Sequence, residues 1–396
     1  MVSEKVKNII RQVRGVSFKG DASIDTFEEG YIPILRSNNI GEGTINFDNL
    51  IYIKNDLVKE DQKLKKGDIL ITASTGSLNV IGKNGSFNND YDGSFGAFCK
   101  VVRPLEDKVY PQYLKYFFQS SYYRTTIKSV INGANINNIK NEHIDDLKIP
   151  LRPLPEQKRI ASLLDAADRN RRLNQELIKE YNRLTQSIFL EMFGDPVSNP
   201  MGWEKVKLGD FIEIKHGFAF KSENFVKDSD FKLLTPGHFF ENGGFKDIGV
   251  KQKFYDGEFP SEYLLGKGDL LVAMTEQAYG LLGSTLLVPE EKTFLHNQRL
   301  GLIDFDSNVL NKIFVYYLFN QKSIRSQIQM SATGTKVRHT SPKKIYEVEF
   351  SIPSFDLQNQ FANRITLIED QKRLAEESLA ASEDLFNALL QEVFAK

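Results

Sequence analysis

The chain is written twice. Its two halves match at an offset of 201 residues with almost no drift, so any fold it adopts must be one that can be built two times over. Leu64-Lys65-Lys66-Gly67-Asp68-Ile69-Leu70 returns as Leu265-Gly266-Lys267-Gly268-Asp269-Leu270-Leu271, a polar Gly-Asp turn running into an apolar strand. Tyr116, Phe118, Arg124, Ile127 and Gly133 meet Tyr317, Phe319, Arg325, Ile328 and Gly334, and Gln157, Arg172, Leu173, Glu176, Glu191 and Phe193 meet Gln358, Arg373, Leu374, Glu377, Glu392 and Phe394. Near the start, Gly15-Val16-Ser17-Phe18-Lys19 echoes Gly217-Phe218-Ala219-Phe220-Lys221 at an offset of 202. A length of 396 residues suits two such units better than one core.

Within each repeat the first 150 or so residues alternate short Ile, Val, Leu, Phe and Tyr runs with Gly, Asn and Asp clusters, which predicts a β-rich domain with a few helices. After Pro153-Leu154-Pro155 the character changes. Residues 156–193 hold no Gly or Pro and are dense in Glu, Lys, Arg, Gln and Leu, as a long helix would be. In the second copy Phe361, Ile365, Ile368, Lys372, Ala375, Leu379, Ser382, Phe386, Leu389 and Val393 step by fours and threes. The first copy follows with Ile160, Leu164, Ala167, Arg171, Asn174, Ile178, Tyr181, Thr185, Ile188 and Met192. Both are heptad seams, with polar positions inside that can set the register of a helix pair. The first helix leaves one domain for the next and the second leaves the next domain, so close domain ends make the pair antiparallel. The expected fold is α+β: two β-rich globular domains, 1–153 and 195–353, separated by an antiparallel two-helix coiled-coil spacer formed by 154–194 and 354–396, with pseudo-twofold internal symmetry.

Composition narrows the function. Apolar residues at 41% and charged residues at 26% are ordinary for a water-soluble protein, and no apolar run is long enough to span a bilayer. The charged N-terminus lacks a secretory signal, and Cys99, the only cysteine, suits a reducing cytoplasm. A single cysteine excludes an intramolecular disulfide and a cysteine-rich zinc site. No clear catalytic centre shows itself. Gly76 and Gly82 before Lys83-Asn84 are one residue too far apart for a phosphate-binding P-loop, and Asn84 replaces the magnesium-binding hydroxyl. Metalloprotease, nucleophile-elbow, dinucleotide and Asn-Pro-Pro-Tyr methyltransferase motifs are all missing.

What the chain does supply is polar side chains on turns, the groups that reach base edges in a DNA groove. The candidates in the first domain are Arg36, Asn38, Asn39, Ser74, Thr75, Asn135 and Asn137. Those in the second are His238, Gln277, Asn297, Gln298, Arg299, Lys336, Arg338 and His339. The clusters follow equivalent strands in the two repeats yet differ in residue type, as two half-site readers would. The net charge of −1 argues against broad phosphate neutralisation by this chain alone. A structural coiled-coil protein and a stand-alone DNA-binding regulator remain open beside this reading.

As a whole the chain resembles the specificity subunits of type I restriction-modification systems. The resemblance rests on Leu64–Leu70, on Leu154-Pro155-Glu156-Gln157-Lys158-Arg159-Ile160-Ala161, on Met192-Phe193-Gly194-Asp195-Pro196, and on Thr333-Gly334-Thr335 ahead of Pro342. Phe355-Asp356-Leu357-Gln358 departs from it by losing the Pro-Glu pair, which leaves the start of the second helix less well marked. The resemblance implies a non-catalytic, cytoplasmic subunit that reads a bipartite target in double-stranded DNA. It further implies two methyltransferase subunits beside the helices and a motor-nuclease restriction subunit, with S-adenosylmethionine, ATP and magnesium held by those partners and no cofactor in this chain.

Overall fold

A computed structural model describes residues 3–131, 137–277 and 279–394. Two compact units result: one runs to Glu176 and resumes at Ala375, and the other spans Leu177–Leu374.

In the first unit the four residues of the strand Ile69–Thr72 are all buried, as a continuous apolar run in the middle of a sheet should be. The strand lies third in a five-stranded sheet ordered Ile10–Arg14, Cys99–Pro104, Ile69–Thr72, Asn84–Ser86, Glu42–Gly43. A four-stranded sheet runs Ser94–Phe95, Tyr31–Leu35, Ile51–Lys54, Ser23–Ile24. The second unit repeats this plan. Leu270–Ala273, again wholly buried, pairs with Leu300–Phe305 and Thr285–Leu287, and Phe231–Leu234 with Phe254–Tyr255 and Phe294–His296.

The Gly-Asp turn that marked the repeat is a structural device. Asp68 closes it, its backbone N–H bonding the Lys65 carbonyl at 3.1 Å and its carboxylate accepting from the Lys65 N–H at 2.9 Å. Asp269 does the same to Gly266, at 3.2 and 2.9 Å. Gly67 and Gly268 sit between at φ of 83° and 82°, where a side chain would be strained. Asn84, the last residue of the near-miss P-loop, is buried and donates to the Phe118 carbonyl.

Each domain is followed by a 40-residue helix, Leu154–Phe193 and Phe355–Phe394. Each would extend about 60 Å at 1.5 Å per residue. Pro155 is accommodated in the first turn, where its missing N–H costs nothing, and Gly194 ends the first helix at φ 74°. Loss of the Pro-Glu pair leaves the second start in place: it begins 201 residues after the first. The reason lies in the glutamine that both copies keep. Buried Gln157 accepts the Tyr110 N–H at 2.8 Å and donates to the Arg152 carbonyl. Buried Gln358 accepts the Asn311 N–H at 2.9 Å and donates to the carbonyls of Pro353 and Val309. One amide thus fastens each helix to its domain.

Every residue of both heptad seams is buried or half-buried. In the first unit Arg171 stacks its guanidinium 4.7 Å from the Phe386 ring and Asn174 bonds Ser378 at 3.0 Å, an antiparallel pairing. The seam polar groups therefore find partners. The helix ends continue into the domain cores. Phe386, Leu390 and Phe394 join the first core, where Phe394 lies 5.0 Å from Tyr113 and 5.8 Å from Phe117. Phe189 and Phe193 enter the second core beside Phe314. Burial of each such ring is worth about 1.5–3 kcal/mol. Among the described residues no helix is long and apolar enough to cross a membrane.

Candidate nucleic-acid interface

Backbone pairing draws polar clusters that are far apart in sequence to one edge of each domain. In the second unit Thr275 and Glu276 pair with His339 and Arg338 as a two-stranded ribbon. The Met274 N–H bonds the Arg299 carbonyl at 3.1 Å and its carbonyl accepts from Thr340, so the 297–299 turn lies against the same ribbon. Leu234 pairs with His296 and brings in the 235–238 turn. The first unit matches: Ser74 and Thr75 pair with Asn138 and Asn137, and the Ala73 and Ser74 N–H groups both bond the Phe98 carbonyl. Leu35, ahead of Arg36, pairs with Phe95.

The residues singled out in the sequence fall into three groups at this edge. Asn38, Gln277, Gln298, Arg299, Lys336 and His339 are exposed. Arg36, Ser74, Thr75 and Asn297 are half-buried; Arg36 donates to the Asn49 carbonyl, Thr75 accepts from the Ser77 N–H and Asn297 from the Arg299 N–H, so these shape their turns. Asn39 and His238 face inward, against the expectation that they read DNA, and Arg338 is half-buried with its guanidinium held by other side chains. Asn39 is fully buried, its amide bridging the Arg36 N–H and the Asp48 carbonyl. His238 is fully buried as well, and its ring nitrogens contact Thr235 and, at 2.8 Å, Gln252. Burial holds that ring below the usual histidine range, against the pull of Gln252 and Thr235. Asn137 lies opposite Thr75 in the ribbon, and Asn135 falls outside the described residues.

The Arg338 guanidinium is engaged by its own protein. Its Nη1 donates to Glu276 at 3.0 Å and to the Gln329 side chain at 2.8 Å, and its Nη2 to the Gln329 carbonyl at 2.5 Å. Glu276 is 2% exposed. Burial opposes its charge, but N–H groups of Leu282 and Leu281, the Gln329 amide and Arg338 together hold the carboxyl below its ordinary range. An ion pair and hydrogen bonds to the buried Glu276 and to Gln329 leave Arg338 little to offer a base.

Sequence reasoning missed Phe98 and Tyr279. Phe98 is 70% exposed and occupies, at the offset of 201, the place of Arg299. Tyr279 is 76% exposed, and its counterpart Leu78 is 45% exposed. Aligning the two repeats at the reading turns would have shown that large apolar groups stand there too. The arrangement sets polar and apolar side chains next to one another at this edge. Among the described residues no group of acidic, histidine or cysteine side chains could hold a metal ion. What it offers is a short rim of hydrogen-bonding and apolar side chains on a rigid ribbon, suited to contact a base sequence.

The comparisons with known proteins point the same way. The family model described as type I restriction modification DNA specificity domain matches residues 8–183 and again 200–381. The specificity subunit of the type I restriction enzyme StySPI from Salmonella potsdam is 28% identical over 411 residues, covering 99% of this chain and 87% of that protein. The EcoKI specificity subunit from Escherichia coli is 41% identical over 160 residues, covering 40% of this chain and 34% of that one. The fold matches that of the type I restriction-modification S subunit from M. genitalium with a TM-score of 0.61 at 15% identity, covering 100% of this chain and 96% of the other. On a family match that takes in both repeats, the chain belongs to the type I restriction-modification DNA specificity family.

Proposed function

We propose that this chain is the subunit that reads a bipartite target in double-stranded DNA and catalyses nothing itself, directing adenine methylation and DNA cleavage by its partners. The observation that carries this is the pair of domains built on one plan 201 residues apart, whose equivalent edges present different side chains: Phe98, Leu78 and Asn38 in one; Arg299, Gln277, Lys336 and His339 in the other. Equivalent scaffolds with different reading groups suit two unlike half-sites. Two methyltransferase subunits would supply S-adenosylmethionine chemistry and most phosphate contacts, and a restriction subunit ATP-driven, magnesium-dependent cleavage. The net charge of −1 fits that division, since a near-neutral protein releases few counterions by itself.

The test is to purify the chain alone and with an adenine methyltransferase subunit of a type I system from the same genome, and to map methylated adenines genome-wide. The expected result is weak binding by the chain alone at physiological salt and methylation of one two-part sequence by the complex. Tight specific binding by the isolated chain, or a target without two parts, would sink the reading.

A further inference from the structure

We propose that Tyr279 is a specificity-determining contact of the second domain, laying its ring against a base of one half-site, and that Glu276, Gln329 and Arg338 are the positioning residues that hold it there. The inference rests on the reading of the chain as a DNA-sequence reader.

Tyr279 stands out of the protein at 76% exposed, three residues past the strand Thr275–Glu276 that pairs with Arg338 and His339. An exposed tyrosine normally wanders among rotamers, but the Arg338 guanidinium lies over this ring, 5.2 Å from its centroid. That guanidinium is in turn fixed by Glu276 and Gln329. The other Glu276 oxygen accepts the N–H groups of Gly280, Leu281 and Leu282, at 3.1, 2.7 and 2.9 Å, and the Gln329 amide at 3.2 Å. One buried carboxylate therefore ties the strand before the turn to the segment after it. Arg325 adds bonds to the carbonyls of Gly280, Leu282 and Glu241. Gly280 takes φ 118°, which a larger residue would resist. All this polar structure backs a ring that is itself largely exposed.

Such an arrangement lowers the ordering cost of a contact made by the ring. Arg338 is charge-compensated by Glu276, which leaves it poorly suited to seize a phosphate; the apolar ring is what the turn presents. An aromatic or apolar group there meets features such as the thymine methyl in the major groove. The first domain has Leu78 at the same place, while Thr75, Lys128 and Asn137 replace Glu276, Gln329 and Arg338. Arg124 remains, bonded to the carbonyls of Ile81 and Asn79. The apolar position is thus common to both domains, and the ion-paired support belongs to the second.

The experiment uses the full chain with its methyltransferase partner, comparing the wild type with Tyr279→Ala, Tyr279→Phe and Arg338→Lys by methylated-site mapping and thermal unfolding. Tyr279→Ala is expected to melt with the wild type and to lose about tenfold or more of its discrimination at one or two adjacent positions of a single half-site. Tyr279→Phe should keep the wild-type preference, and Arg338→Lys, which loses the paired fork, should relax the same positions as Tyr279→Ala. An unchanged preference in Tyr279→Ala overturns the inference. So does a loss spread over both half-sites, or a Tyr279→Phe variant as relaxed as alanine. If the wild-type complex methylates no two-part site at all, the functional reading itself falls, a result distinct from any of these.

Discussion

Tyr317 donates its hydroxyl to the carboxylate of Glu369 at 2.8 Å, joining a short domain helix to the long helix that follows. At the offset of 201 Tyr116 does the same to Asp165, at 2.5 Å. The tyrosines are equivalent in the two repeats but the acids are not: Glu369 corresponds to Asp168, which instead holds Arg171 and Arg172. The two repeats keep the junction and move the acid by one helical turn. Burial pushes both phenols well above their ordinary range, with the acceptor carboxylate adding to the shift, so both remain protonated donors at all working pH values.

Removing this donor should loosen the junction without altering sequence preference. Tyr317→Phe is expected to lower stability by about 1.5–3 kcal/mol, the range for a hydrogen bond to a charged group. Chemical denaturation measures the loss, and methylated-site mapping should show the wild-type target.

The glutamine staple should cost a comparable amount. Gln358→Ala leaves the Asn311 N–H and the Pro353 carbonyl buried without a partner, a penalty of about 1–3 kcal/mol for each group so stranded. A variant that unfolds at the wild-type denaturant concentration would show that water replaces the amide.

Acid should weaken the second domain through His296. Burial pushes this imidazole down to about 4 from 6.5, even though the Leu300 carbonyl favours the charged form. Below pH 6.5 the unfolded chain takes up a proton that the folded chain refuses until about pH 4. Stability therefore falls with pH across that window, by up to about 3 kcal/mol. Melting temperatures taken from pH 7 to pH 4 should drop less steeply in His296→Gln.

A kink in the long helix should uncouple the half-sites. The long helices join the two domains, so their length should act as the ruler for half-site spacing. Ile178→Pro places proline in a helix interior, at a cost of about 3 kcal/mol, and bends that helix. Methylation at the native spacing should disappear. A variant that still modifies the native site would exclude the helices as the ruler.

The two half-sites should respond separately to changes at the two reading edges. With Arg338 spent on Glu276, the outward-facing Lys336 and His339 become the substitutions of choice on the second ribbon. Replacing both with alanine should alter preference in one half-site, by about 1–3 kcal/mol for each lost base contact, and leave the other half as it was. Changes in both halves would exclude independent reading.

The architecture was legible because its signals are local and periodic. A heptad spacing needs only the chain itself to place Ile160, Leu164, Phe361 and Ile365 on one face, and all four are buried. The 201-residue register located the second helix even where Pro-Glu is lost, since Gln358 makes the same bonds as Gln157. Which polar residues face outward was decided by the tertiary structure alone. Arg338 and Glu276 lie 62 residues apart in sequence, and nothing in the string Val337-Arg338-His339 tells the arginine from its exposed neighbour. Likewise Asn39 and His238 look like any turn residues until the sheets close over them. The difference is physical: helix periodicity follows from backbone geometry, whereas burial of a side chain depends on which distant segments pack against it.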